Sequence, residues 1–112
     1  MQSQILNYDT YTEIEVKGRI DASTVASFEA EVLPSIADVK PILILNLADV
    51  EYMSSAGLRA VLKIAKETKS KNIVFACTSL QSAVFDVFKI SGFSSIVKIF
   101  GSTQEALSAL KG

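Results

Sequence analysis

The sequence predicts a single α/β domain, residues 1–112, with a mixed, mostly parallel sheet of about five strands and four helices in the order β-β-α-β-α-β-α-β-α. Three observations predict it. The short apolar runs 42–47 and 72–77 have the character of strands buried on both faces. Segments with helical apolar spacing alternate with them. At 112 residues, with 49% apolar and 21% charged side chains, the chain has the length of one domain and the means to bury a core.

Each element has its own justification. Ile5 and Leu6 on one side and the alternating segment 12–17 on the other flank a polar turn at 7–10, which predicts a hairpin and makes the sheet mixed. Gly18, Arg19, Ile20 and Asp21 end the second strand. Ser23 is placed to cap a helix along which Val25, Phe28, Val32 and Ile36 recur at helical spacing, and Pro34 predicts a kink or early stop. After Pro41, the run 42–47 suits the middle of the sheet. Residues 48–51 predict an acidic turn, and a second helix begins at Ser54 and Ser55. Its inward positions are Leu58, Val61, Leu62 and Ala65, and its basic end at Lys66, Lys69 and Lys71 suits the helix dipole.

Residues 72–77 then predict another buried strand, and Thr78, Ser79, Leu80 and Gln81 match a capping box for a helix through Val84, Val87 and Phe88. Ser91, Gly92 and Phe93 stop that helix. Residues 96–99 predict a short edge strand. A second capping box, Ser102 to Glu105, opens a last helix with Ala106, Leu107 and Leu110 facing inward.

Composition excludes several function classes. There is no histidine, so imidazole-dependent triads and histidine metal sites are absent. A net charge of -1, without a cluster of Lys and Arg, gives no footprint for nucleic acid or an anionic membrane. No stretch approaches the roughly 20 apolar residues of a membrane span, and the opening residues lack the pattern of a secretory leader, which predicts a cytoplasmic protein. The single cysteine, Cys77, cannot form an intrachain disulfide and reads as a small buried hydrophobe. No P-loop, dinucleotide fingerprint or metal-ligand spacing is present. The S-x-x-K spacing of Ser95 and Lys98 lacks companion motifs, and Phe85, Phe88 and Phe93 read as packing residues. The expectation is a protein that is not an enzyme and needs no cofactor.

In open sheets of this kind, ligands and partners meet the loops at the carboxyl ends of the strands, here 18–23 and 49–57. Two serines stand together at a helix amino end, and one suffices as an N-cap. The other would be an exposed hydroxyl that a kinase could reach. A phosphate there adds roughly -1.5 to -2 charge beside Asp21, Asp49 and Glu51, deepening an acidic patch and repelling an acidic partner. Such repulsion can cost several kcal/mol, and each roughly 1.4 kcal/mol is tenfold in affinity. The candidate partner-binding set is Asp21, Ser23, Asp49, Glu51, Tyr52, Met53, Ser54, Ser55, Gly57 and Arg59. Within it, Asp21 fits a turn or cap as well as a partner contact, and Met53 fits burial beneath the loop.

These residues resemble the STAS domains, and among them the bacterial anti-sigma factor antagonists, over nearly the whole chain. Gly18-Arg19-Ile20-Asp21 resembles the family's Gly-x-(Leu/Ile)-Asp. Leu45-Asn46-Leu47 with Asp49-Val50 resembles its central strand and turn, and Tyr52-Met53-Ser54-Ser55-Ala56-Gly57-Leu58 resembles its phosphorylation loop. By this resemblance Ser55 is the phosphoacceptor, with Ser54 as the alternative, because Ser54 stands where the better-known members carry aspartate. Modest surface charge permits a monomer, and the resemblance implies a partner switch that binds an anti-sigma factor with serine kinase activity when unphosphorylated. Phosphorylation would release it, and a PP2C-type phosphatase would restore it, so regulating sigma-factor-dependent transcription. The competing expectation is a constitutive STAS interaction subunit in a stressosome-like or transporter-associated assembly.

Overall fold

A computed structural model of the chain describes residues 2–38 and 41–111. Its strands are β1 (Gln2–Asn7), β2 (Thr12–Ile20), β3 (Ile42–Met53), β4 (Val74–Thr78) and β5 (Lys98–Phe100). Its α-helices are α1 (Val25–Val32), α2 (Ser55–Ser70), α3 (Ser82–Ile90) and α4 (Thr103–Lys111), and 3₁₀ turns lie at Pro34–Asp38 and Phe93–Ser95. The expected order is therefore present. The strands lie side by side in chain order, with β1 antiparallel to β2 and every later pair parallel.

β3 occupies the centre of the sheet, as its apolar run demands. Strand alternation sends Leu43, Leu45 and Leu47 into a large core with Phe28 and Val32 of α1, Leu58, Val61 and Ile64 of α2, and Val84 and Phe88 of α3. Ile42 and Ile44 point to the other face, where Ala76 and Ala106 complete a smaller core against which Leu107 and Leu110 of α4 pack. Fully burying such a side chain stabilises the fold by about 1.5–3 kcal/mol, so β3 ties both layers together. α4 packs against β3, β4 and β5.

Several boundaries differ from expectation for physical reasons. The strand expected at 42–47 runs on to Met53, so residues 48–51 are strand and not an acidic turn. The nine-residue β2 provides a partner beyond Asn46, where β4 has ended. The added length carries two register shifts: Glu15 faces Asn46 while Lys17 faces Asp49, and Gly18 faces Val50 while Arg19 faces Tyr52. Each places one extra residue on β3, a bulge. Ala48, at the first bulge, is held by side chains: its N–H donates to Asn46 Oδ1 at 3.0 Å and its carbonyl accepts from Gln81 Nε2 at 2.9 Å. The other amide end of Asn46 donates to the buried Glu13 carboxylate at 3.0 Å.

Gln81 is thereby committed elsewhere, and the capping box expected at Thr78 to Gln81 does not form. Thr78 is still in β4, and α3 begins at Ser82 without a side-chain cap. Ser23 does not cap α1 either, since Thr24 takes that position. Pro34 does end α1 early, opening a 3₁₀ turn that keeps Ile36 buried. Gly92 stops α3 in the left-handed region at φ 81°. The last capping serine is in place, with Ser102 Oγ accepting from Glu105 N–H at 3.0 Å, though Glu105 reaches back to the Gly101 N–H. β5 begins at Lys98 and not at 96, which leaves Ile96 63% exposed. Cys77 is buried in β4, and burial pushes its thiol far up, so it is the inert hydrophobe expected. Among the described residues no helix is long and apolar enough to cross a membrane, and no cluster of acidic or cysteine side chains could hold a metal ion.

Candidate functional site

The site gathers where β2 and β3 end and α2 begins. The first bulge rephases β3 so that Val50 turns into the core while Asp49 and Glu51 turn outward, and the second restores the original alternation, with Met53 inward and Tyr52 outward. The chain then turns without a loop. Ser54 N–H donates to the Ile20 carbonyl at 2.9 Å, extending the β2–β3 contact by one residue, and the Ser54 carbonyl accepts from Leu58 N–H at 2.9 Å as the first helical bond of α2.

The two serines separate their tasks. Ser54 is the N-cap, with extended backbone, and its Oγ accepts from Gly57 N–H at 3.3 Å. Ser55 is the first residue of the helix and is exposed, and among the described residues its hydroxyl has no hydrogen-bond partner. A group added to Ser55 would therefore project into solvent at the positive end of the dipole of a 16-residue helix, leaving the cap intact.

Asp21 serves its turn and faces the site together. Its Oδ1 accepts from the Ser23 hydroxyl at 2.7 Å and the Ser23 N–H at 2.9 Å, an Asx turn that leads into α1. Its Oδ2 lies 3.5 Å from Arg19 Nε. These contacts, the Ser23 hydroxyl foremost, hold the Asp21 carboxyl below the usual carboxylate range. Ser23 thus orients Asp21 instead of capping α1.

Two members of the expected set are not on the surface. Met53 is 1% exposed, because it shares the inward phase of Leu43, Leu45 and Leu47 and lies beneath α2. Gly57 is buried where α2 crosses the end of β2, and a Cβ there would stand 2.7 Å from the Ile20 carbonyl oxygen. Their place is under the site, supporting it. Asp49, Glu51, Tyr52, Ser55 and Arg59 are exposed and Asp21, Ser23 and Ser54 border them. Arg59 follows Ser55 by four residues, on the same side of the helix.

Sequence reasoning missed Arg19 as a site residue. It pairs with Tyr52 across the parallel β2–β3 ladder, and its guanidinium carbon lies 4.3 Å from the centre of the Tyr52 ring. The signal available was Gly18-Arg19-Ile20-Asp21 itself, but only the second bulge brings Arg19 opposite Tyr52.

The family model for the STAS domain matches residues 3–106. A Bordetella bronchiseptica protein designated anti-sigma factor antagonist BtrV is 32% identical over 96 residues, covering 86% of this chain and 83% of that protein. The anti-sigma-F factor antagonist RsfB of Mycobacterium tuberculosis is 22% identical over 108 residues, covering 96% and 88%. Among solved structures, an anti-sigma factor antagonist from Mycobacterium paratuberculosis superposes with a TM-score of 0.90 at 22% identity, covering 99% of this chain and 94% of the other.

Proposed function

The chain belongs to the STAS domain family, and from that premise we propose that it is an anti-sigma factor antagonist: a protein-binding switch thrown by phosphorylation of Ser55. In this reading it performs no catalysis. Its unphosphorylated surface, formed by Asp21, Asp49, Glu51, Tyr52 and the start of α2, docks an anti-sigma factor and so frees a sigma factor. The anti-sigma factor acts as serine kinase. The Ser55 oxygen takes the γ-phosphoryl group of ATP and loses its proton, leaving ADP, and a PP2C-type phosphatase hydrolyses the ester.

The observation that carries this reading is the division of labour between the serines. Ser54 holds the helix, while Ser55 is exposed and uncommitted. Esterification of Ser55 changes surface charge without removing a bond that the fold uses. The added charge, about -1.5 to -2, enters a surface that already carries Asp21, Asp49 and Glu51.

The test is incubation with the co-encoded anti-sigma factor and ATP, followed by phosphosite mapping. One phosphate on Ser55 is expected, with Ser55→Ala retaining the partner and Ser55→Asp weakening it by about a hundredfold, the scale of like-charge contacts at an interface. Undiminished binding by Ser55→Asp overturns the switch. A second reading, a constitutive STAS subunit of a stressosome-like or transporter-associated assembly, is favoured by the neutral cap at Ser54, where aspartate is usual. It requires partner binding that is the same before and after phosphatase treatment.

A further inference from the structure

We infer that Arg19, held over the Tyr52 ring, determines partner specificity at this surface by receiving a carboxylate side chain of the docked protein. The inference rests on the reading above, in which this surface docks an anti-sigma factor, and adds what that partner must present.

The strand pattern fixes where Arg19 points. Ile14, Val16 and Ile20 of β2 enter the large core, so Glu13, Glu15, Lys17 and Arg19 lie on the opposite face. On that face α4 packs against β3, β4 and β5. Arg19 is exposed to 54% of its side-chain surface, and Tyr52 beside it is 40% exposed. An exposed tyrosine and arginine side by side are the residue types that most often dominate binding energy at protein interfaces.

The chemistry of the guanidinium sets the ligand. It is planar and carries five N–H donors. The guanidinium carbon lies 4.3 Å from the centre of the Tyr52 ring and the contact with Asp21 runs through Nε at 3.5 Å, which leaves the Nη groups as the donors for a partner. A carboxylate fits that fork with two parallel hydrogen bonds, which a lysine ammonium could not reproduce. The side chain is already restrained by ring and carboxylate, so binding removes less rotamer freedom than it would from a free arginine.

Arg19, like Lys17 opposite Asp49, is a cation among Asp21, Asp49 and Glu51, which makes this surface mixed in sign. A uniformly basic partner face would meet Arg19 with repulsion, and a uniformly acidic one would meet the carboxylates. The fitting partner presents basic groups to Asp49 and Glu51 and an acidic side chain to Arg19.

The experiment measures binding of the unphosphorylated protein to its anti-sigma factor, without ATP, by calorimetry for the wild type, Arg19→Ala, Arg19→Lys and Arg19→Glu. Thermal melts accompany each variant. Arg19→Ala should weaken binding about 30-fold, as truncation of a hot-spot arginine does. Arg19→Lys should recover only part of that loss, because the charge returns without the fork. Arg19→Glu should be weakest and should be rescued by replacing one partner carboxylate with lysine. Wild-type binding that Arg19→Ala leaves within about twofold, or full recovery by Arg19→Lys, overturns this inference alone. No binding by the wild type overturns the parent reading and this one with it.

Discussion

The backbone of Gly57 lies so close to Ile20 that a Cβ on it would stand 2.7 Å from the Ile20 carbonyl oxygen and 2.8 Å from its Cγ2. The same carbonyl accepts the Ser54 N–H, so the start of α2 is pinned to the end of β2 by one hydrogen bond and one missing methyl group. The position of the candidate site depends on this contact.

Gly57→Ala should lower stability, because overpacking costs about 1–3 kcal/mol against the roughly 1 kcal/mol that alanine gains over glycine within a helix. Urea unfolding should show a lower midpoint. Gly92→Ala provides the contrast: nothing lies within 4 Å, and only its φ of 81° opposes a side chain, so its cost should be about 1–2 kcal/mol from strain alone. Only Gly57→Ala should also disturb the amide signals of Ile20 and Ser54.

Ser54→Ala removes the acceptor for the Gly57 N–H and should cost about 1 kcal/mol, the usual worth of an N-cap. Ser54→Asp keeps an acceptor and adds a favourable charge at the helix amino end, so it should be at least as stable as the parent. Thermal melts of the two variants should therefore move in opposite directions or leave only the alanine variant lowered.

Asp21 titrates below the ordinary carboxylate range because of its bonds from Ser23. A depressed folded-state value means that its contribution to stability is present above the unfolded value, near 3.9, and is lost as pH falls through the folded one. Carboxyl carbon NMR should show Asp21 titrating below the other exposed aspartates. Ser23→Ala should move it upward toward them, and an unchanged midpoint would show that the Ser23 bonds are not the cause.

Cys77 is buried and its thiol is pushed far up by desolvation. The native protein should not react with a disulfide exchange reagent near pH 8, and the urea-unfolded protein should react once per chain. Fast labelling of the folded protein would contradict the buried β4 position.

The pattern of elements could be read from the residues because each depends on neighbours in sequence. The apolar run of β3, the helical spacing of Leu58, Val61 and Ala65, and the Ser102 cap are local signals. The Thr78 to Gln81 capping box was equally plausible locally and failed, because Gln81 is drawn to the Ala48 carbonyl across the fold. Ser23 failed as a cap because the Asx turn at Asp21 places it one residue before the helix, so that Thr24 stands at the N-cap. Of the site, the serine pair and its acidic surroundings were legible. The burial of Met53 was legible too, whereas which serine caps, which is free, and the burial of Gly57 were not.

The sequence by itself determined the alternation of strands and helices, the central place of β3, the inert cysteine and the hydroxyls at the head of α2. These follow from hydrophobic period and residue chemistry, which act over a few residues. The tertiary structure alone decided that β3 runs past its apolar stretch and bulges twice, because that requires the length and register of β2, more than twenty residues earlier in the chain. From those bulges come the inward turn of Val50, the outward turn of Asp49 and Glu51, and the register that sets Arg19 opposite Tyr52, since each extra residue reverses which side chains face the core and the second restores the phase for Met53.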